Sequence, residues 1–443
     1  MEPPRLVRHI VSRALKSGAT DAVAEVYLGR ERRIKFANNE VVVAEEREEA
    51  TVSIFVAIRE RRAAISINNV ALRNVEEAVK QAVRLAKMSQ PADVYAPLPR
   101  GPFKYDRRLL RAEKIRGDPD RLIDAVEAAM NAALSEGAKR TAGNLIYSSG
   151  KSWLRTSGGA YGVAEDASIE LSIRAFASDE ATGHLVSVAA REEDFKPEEA
   201  GRRAGELAKL ALNPVEGEPG TYEALLGPMT FANLVEEVGR SASAFYVDAG
   251  FSFLAGKIGE NVSSEVFTLA DDPTVPGTYG SCPFDDEGIP TRRNVIIEKG
   301  VLRTYLHNST TAKKFGTETT ANAGLIAPTP FNLIVEGPGE DLDKLISGID
   351  DGIYVTNDWY LRYHNFQTGD FSTIPRDAIL RIRRGSIENA VKRLRISDNM
   401  IRIFKNIRQL GKERCWITWW EVDTPVYAPH AVIEQLNFTK PAL

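Results

Sequence analysis

The feature that most constrains the fold of this 443-residue chain is a pattern that occurs twice in its N-terminal half. Residues 5–19 and 121–138 both place apolar side chains at helical spacing, and both stretches end at a glycine. Further helical patterns follow at matching intervals, at 76–87 and 198–209. Because element order and spacing agree between the two copies, we infer a structural duplication.

Between the two helices of each copy lie four short runs of alternating apolar and polar residues. Such alternation predicts half-buried β-strands, because successive side chains of a strand point to opposite faces. Val-Ala-Glu occurs at 43–45 and again at 163–165, in the third run of each copy. The predicted strands are 22–28, 33–37, 41–46 and 51–58 in the first copy, and 144–149, 152–157, 161–166 and 169–177 in the second.

Two stretches rich in proline or glycine divide the chain into predicted units. Residues 89–105 hold four prolines and are typical of a linker, and a second boundary falls within 214–220. The predicted units are an N-terminal region at 1–214, its two repeats at about 1–90 and 118–214, and a C-terminal domain at 220–443.

After residue 220 the pattern changes to a helix at 229–247, followed mainly by strands and turns. Lys299-Gly300 and Gly385 predict the turns of two hairpins. Asp398 is a predicted cap for a helix whose apolar face is Ile401, Phe404, Ile407 and Leu410, and the closing strands are predicted at 415–422 and 431–438. We therefore predict an α+β fold, with a duplicated helix–β-hairpins–helix N-terminal half and a strand-rich antiparallel C-terminal domain.

Composition excludes several classes of protein. With 43% hydrophobic and 27% charged residues, the chain is globular rather than disordered. Its formal net charge of −4 gives no sequence-wide attraction to nucleic acid or to anionic membranes. No apolar run approaches a membrane span, and the N-terminus lacks the apolar core of a signal peptide. We expect a cytoplasmic protein without direct nucleic-acid or membrane contacts.

Few residues are candidates for chemistry on their own. Asp271-Asp272 and Asp285-Asp286-Glu287 suit either cation binding and proton exchange or the capping of turns, and we favour the turns. His307 is either an acid or base or a hydrogen-bonded structural histidine, and we favour the structural role. Cys415 lies among tryptophans and is interpreted as a buried strand cysteine rather than a nucleophile.

A series of linked motifs is more informative than any of these residues. It comprises Ser252-Phe253-Leu254, Gly256-Lys257-Ile258-Gly259-Glu260, Asp271-Asp272-Pro273, Phe284-Asp285-Asp286-Glu287-Gly288, Glu298-Lys299-Gly300-Val301-Leu302, Tyr305-Leu306, Thr311-Ala312 and Thr368-Gly369-Asp370-Phe371-Ser372. In these motifs the chain resembles the TldD/PmbA family, long described as modulators of DNA gyrase and now regarded as metalloproteases. The resemblance extends over the whole chain.

The family has two branches, and one motif distinguishes them. The TldD branch carries His-Glu-x-x-x-His, in which the histidines bind zinc and the glutamate is the general base. Aligned on Gly239, this chain has Val235 and Arg240 at the histidine positions and keeps only Glu236. Valine has no lone pair to donate, and arginine is a permanent cation that repels Zn²⁺. The chain therefore resembles the PmbA branch, also called TldE, the metal-free partner of TldD in a heterodimeric peptidase.

The resemblance implies a subunit that helps to enclose a peptide cleft. It implies zinc only in a TldD-like partner, no cofactor in this chain, and an extended polypeptide as substrate. No residue is assigned as catalytic, and Glu236 is the remnant of the motif. Arg240 is expected to form a salt bridge with Glu236. The candidates for the peptide cleft are Glu236, Arg240, Asp285, Asp286 and His307.

Three alternatives remain open from the sequence. The first is a peptide-binding or chaperone-like homodimer, in which the partner is a second copy of the chain. The second is a modulator of DNA gyrase, although the net charge of −4 argues against direct DNA contact. The third is a residual hydrolase that uses Asp285, Asp286 or Cys415.

Overall fold

A computed structural model describes residues 1–112 and 114–440 and shows the α+β fold that the sequence predicts. A short 3-10 helix at Glu192–Asp194 precedes the last N-terminal helix. The other N-terminal elements are α1 (Pro3–Lys16), β1 (Asp21–Ala37), β2 (Glu40–Ile58), β3 (Arg61–Ile67), α2 (Leu72–Met88), α3 (Pro119–Ser135), β4 (Arg140–Thr156), β5 (Tyr161–Phe176), β6 (Thr182–Ala189) and α4 (Pro197–Leu210).

These N-terminal elements repeat the order helix, three strands, helix. Their strands form one antiparallel sheet in the order β3-β2-β1-β4-β5-β6, so the two copies meet where β1 pairs with β4. In the first copy, the amphipathic α1 buries Leu6, Ile10 and Ala14. In the second, α3 and α4 approach so closely that a Cβ atom on Gly201 would overlap the carbonyl oxygen of Ala129. The duplicated helix and hairpin architecture is confirmed.

The prediction of four short strands per copy is wrong, because neighbouring runs join into longer strands. β1 includes both 22–28 and 33–37, and β2 includes both 41–46 and 51–58. The charged residues between the runs stay in the sheet because β1 is paired on both sides, with Gly29 opposite Glu49 on β2 and Gly150 on β4. Ladder hydrogen bonds on two sides outweigh the low strand propensity of this segment.

The C-terminal strands form a second, larger sheet. Most of its strand pairs are antiparallel, and four are parallel: β7–β16, β8–β14, β12–β19 and β13–β18. Its elements are β7 (Val215–Glu216), β8 (Gly220–Leu226), α5 (Pro228–Ser241), α6 (Ala244–Asp248), β9 (Thr268–Asp271), β10 (Asn294–Glu298), β11 (Val301–Leu302), α7 (Ser309–Phe315), β12 (Leu333–Glu336), β13 (Gly339–Glu340), α8 (Leu342–Ser347), β14 (Asp351–Asn365), β15 (Asp370–Arg383), β16 (Ser386–Lys392), β17 (Arg395–Asn399), α9 (Met400–Lys405), β18 (Ile407–Trp419) and β19 (Val422–Thr439).

The hairpins predicted at Lys299-Gly300 and Gly385 are present as β10–β11 and β15–β16. The helix predicted from Asp398 to Leu410 is mostly wrong. α9 ends at Lys405, its cap is the side chain of Asn399, and the chain continues as β18. The predicted strand 415–422 is also interrupted, because β18 ends at Trp419 and β19 begins at Val422.

A buried polar network joins the two sheets. The Asp377 carboxylate on β15 accepts hydrogen bonds from Arg174 of β5 (3.2 Å) and Thr182 of β6 (2.9 Å). Asn357 of β14 donates both to Asp377 (3.1 Å) and to the ring of His184 (2.9 Å). The network ties the position of the N-terminal sheet to that of the C-terminal sheet.

The helices do not suit a membrane-spanning role. Within residues 1–112 and 114–440, no helix combines the length and the apolar character that crossing a bilayer requires.

Candidate functional site

The motif remnant lies on α5, which starts with Pro228 and is buried along most of its length. Val235 is fully buried in the hydrophobic core of the C-terminal unit. Glu236 is 2% exposed, whereas the side chain of Arg240 is 49% exposed. Glu236 and Arg240 are four residues apart and share one helix face, so both face a single cavity.

This cavity has a volume of about 200 Å³ and lies between α5, α6 with its N-cap, and two segments that are distant in sequence. The lining side chains are mostly polar or charged, with two prolines. They are Glu236, Arg240, Ser243, Tyr246, Pro328, Thr329, Pro330, Asp423 and Thr424.

Burial dominates the electrostatics of Glu236. The Thr424 backbone N–H donates to its Oε1 at 2.7 Å, and burial raises the pKa of the carboxyl to about 7. In the described part of the chain, Arg240 does not form the expected salt bridge with Glu236. Arg240 instead pairs with Glu237, one turn away, at 3.5 Å.

The cavity does not offer the donors that zinc requires. Catalytic zinc sites take three histidine, cysteine or carboxylate ligands, and here the lining supplies two carboxylates beside a guanidinium. The Val235 side chain is packed in the core. Across residues 1–112 and 114–440, no group of three or more histidine, cysteine, aspartate or glutamate side chains is placed to hold a metal ion. The residues present therefore do not fit the metal of the TldD motif.

The other three candidates for the peptide cleft do not line this cavity. Asp285 is buried and accepts hydrogen bonds from the backbone N–H groups of Glu287 (3.0 Å), Ile289 (2.9 Å) and Ala323 (3.0 Å). These are the contacts of a carboxylate that caps turns. Asp286 is half-buried, and burial raises the pKa of its carboxyl to about 6. His307 is buried, with its Nδ1 3.3 Å from Thr311 Oγ1.

The aspartate pair at 271–272 and the two cysteines also have structural surroundings. The buried Asp271 accepts from the N–H groups of Phe331 (2.9 Å) and Asn332 (2.7 Å). Cys282 is half-buried, and its Sγ donates to the carbonyl oxygen of Phe284 at 3.1 Å. Cys415 lies on a strand as predicted, but it is exposed rather than buried and does not line the cavity.

A second constellation, formed by Ser172, His184 and Asp377, has no signal in the sequence. The Ser172 hydroxyl is 2.8 Å from His184 Nε2, and Asp377 is 3.9 Å from His184 Nδ1. Nδ1 accepts a hydrogen bond from the Asn357 amide, so the ring proton is on Nε2 and points at the serine. A serine nucleophile needs the opposite tautomer, in which Nε2 takes its proton. The group is therefore part of the junction between the sheets.

His430 provides a test of how burial controls histidine charge. It is 7% exposed, its Nε2 is 3.1 Å from the Tyr354 hydroxyl, and burial with nearby Arg203 lowers its pKa to about 4. A histidine whose folded pKa lies below its unfolded value of 6.5 stabilises the fold above pH 6.5, and that contribution is lost as pH falls towards 4. Relative to His430→Phe, the free energy of unfolding of the wild type should fall by about 3 kcal/mol across this window.

Urea unfolding of both proteins at several pH values between 4.5 and 8 measures this difference. Above pH 7 the difference in free energy of unfolding should be constant. Its value there is the internal control, because it measures the effect of losing the Tyr354 contact without any titration of His430. A difference that stays constant down to pH 4.5 would show that His430 takes up a proton as readily in the folded state as in the unfolded state, so that its pKa is not lowered.

Comparison with known proteins assigns the class. Residues 219–440 match the family model described as the PmbA/TldA metallopeptidase C-terminal domain. The chain therefore belongs to the PmbA/TldD metallopeptidase family.

Individual relatives agree with this assignment. A metalloprotease of Methanothermobacter thermautotrophicus is 33% identical over 224 residues, which are 49% of this chain and 48% of that protein. A metalloprotease TldD homolog of Buchnera aphidicola is 28% identical over 48% of this chain and 45% of its own length. The chain thus spans about half the length of the curated relatives it matches. The crystal structure of TldE from Thermococcus kodakarensis superposes with a TM-score of 0.82 at 22% identity, covering 98% of this chain and 100% of that one, and shows a shared fold.

Proposed function

We propose that this chain is the metal-free, TldE-like subunit of a TldD–TldE-type metallopeptidase that acts on unfolded or extended polypeptides in the cytoplasm. One observation carries the proposal. Of the three motif positions on α5, only Glu236 keeps its residue type, while Val235 is packed into the core and Arg240 brings a cation to the cavity.

In this proposal the chain binds and orients the polypeptide, and the partner subunit cleaves it. Glu236 alone does not suffice for hydrolysis, because attack of water on an amide also needs an electrophile that polarises the carbonyl. Zinc is supplied only by the TldD-like partner. The cavity on α5 then contributes to the wall of the peptide cleft.

The test is to purify the chain alone and together with a TldD-like protein from the same source. Zinc content and cleavage of unfolded casein are measured on each sample. We expect no stoichiometric zinc and no cleavage for the chain alone, and at least a tenfold rise in the cleavage by the TldD-like protein when the two are mixed.

Two results would contradict the proposal. Stoichiometric zinc with chelator-sensitive cleavage by the lone chain would show a catalytic site outside the motif. A stable homodimer that binds casein but leaves the activity of the TldD-like protein unchanged would favour a peptide-binding homodimer instead.

A further inference from the structure

We infer that the cavity on α5 holds the free N-terminus of a polypeptide, with its α-ammonium group facing Glu236 and Asp423 and its first carbonyl oxygen facing Arg240. The inference rests on the proposed function, because it specifies which part of the polypeptide this subunit binds. It follows from the burial of Glu236 and from the charges around the cavity.

Glu236 is the first indication of a ligand. It is 2% exposed and lines the cavity, and its Oε1 is occupied by the Thr424 N–H. Among the described residues no donor hydrogen-bonds to Oε2. Because Glu236 lines the cavity, Oε2 is open to a ligand that brings N–H donors, and such charge-assisted hydrogen bonds are stronger than neutral ones.

The charge of the lining selects a cation. Asp423, and Glu236 when it is ionised, bring negative charge to the cavity, whereas Arg240, the cation among the described lining residues, is already paired with Glu237 at 3.5 Å. The remaining negative charge attracts an ammonium group and repels a peptide C-terminus. The volume of about 200 Å³ is below the roughly 300 Å³ at which pockets for larger ligands begin, so it suits one terminal residue.

Arg240 distinguishes an N-terminus from a lysine side chain. In a peptide N-terminus the ammonium group and the first carbonyl oxygen are separated by two carbon atoms, so they match neighbouring acidic and guanidinium groups. A lysine ammonium has no acceptor close to it. The guanidinium of Arg240 is half-exposed and has further N–H donors beyond its contact with Glu237.

The experiment is isothermal titration calorimetry of the full chain with three hexapeptide amides. One is Ala-Gly-Phe-Ala-Gly-Ala with a free N-terminus, the second is its N-acetylated form, and the third is N-acetylated with lysine at the third position. Loss of a charged hydrogen bond weakens binding by about 10- to 100-fold. We therefore expect the free peptide to bind at least tenfold more tightly than either acetylated peptide.

Two variants locate the effect. Glu236→Gln removes the charge but keeps an acceptor for the Thr424 N–H, and it should reduce the affinity of the free peptide to that of the acetylated one. Asp423→Asn changes an exposed residue of the same lining and should act in the same direction without a risk to folding. Glu298→Gln, at an exposed ion pair with Arg303, is the matched control and should change nothing.

Equal binding of the free and acetylated peptides would overturn the inference, as would equal binding of the lysine peptide or unchanged discrimination in both lining variants. These failures differ from a failure of the proposed function. If the chain stimulates the TldD-like protein but does not discriminate between N-termini, the subunit role stands and the ammonium site does not. If the chain discriminates between N-termini but does not stimulate the TldD-like protein, the ammonium site stands and the subunit role does not.

Discussion

Replacing Asp377 by asparagine is expected to lower the free energy of unfolding by about 3 kcal/mol. The Asp377 carboxylate is 1% exposed and pairs with Arg174, whose side chain is 25% exposed. Asparagine has the same size and tolerates the positive φ of 60° at this position, so backbone strain does not contribute. The loss comes from removing the charge, which leaves the Arg174 cation without a charged partner between two sheets.

Urea unfolding monitored by tryptophan fluorescence measures this loss, because Trp419 packs edge-on against His184 in the same network, with ring centroids 5.1 Å apart. Glu298→Gln breaks the exposed pair with Arg303 (3.0 Å) and should cost less than about 1 kcal/mol. If Asp377→Asn costs no more than this control, the network does not hold the two sheets together. If instead it separates one unfolding transition into two, the network couples the sheets.

Local signals explain which parts of the fold could be predicted. The duplicated helices follow from apolar spacing, and the hairpins follow from Gly300 and Gly385, whose φ values of 82° and 73° suit glycine. The helix predicted from Asp398 is wrong beyond Lys405, because the spacing of Ile407 and Leu410 is compatible with both a helix and a strand. Their burial comes from pairing with β19, where they lie opposite Ile433 and Ala431. Such distant pairing leaves no mark on the local sequence.

The same limit applies to the candidate site. The motif alignment located Glu236 and Arg240, because both belong to one helix of recognisable sequence. It did not locate Asp423 and Thr424, which reach the cavity from the start of β19. The Thr424 contact uses a backbone N–H, which every residue except proline can supply. The sequence could not decide whether Arg240 pairs with Glu236 or with Glu237, since residues three and four positions earlier on a helix are both within reach.

Removing metal from the mixture of this chain and a TldD-like protein is expected to reduce cleavage of unfolded casein at least 100-fold. A metal that binds only the folded state raises the melting temperature, and its removal lowers it. The melting temperature of the isolated chain should not respond to metal or chelator, because we expect no metal site in this chain. The cavity presents a guanidinium and two carboxylates, and the side chain of Val235 faces the core. We therefore expect the melting temperature of the isolated chain to change by less than about 1 °C when EDTA or Zn²⁺ is added.

Differential scanning fluorimetry of the isolated chain and a casein assay of the EDTA-treated mixture test the two halves of this prediction. Re-addition of Zn²⁺ to the mixture is the control and should restore cleavage, which separates metal loss from damage to either protein. A zinc-dependent rise of several degrees in the isolated chain would contradict the metal-free assignment, because it requires ligands in this chain. Cleavage by an EDTA-treated mixture that retains no zinc would place the chemistry outside metal catalysis, whichever subunit carries it.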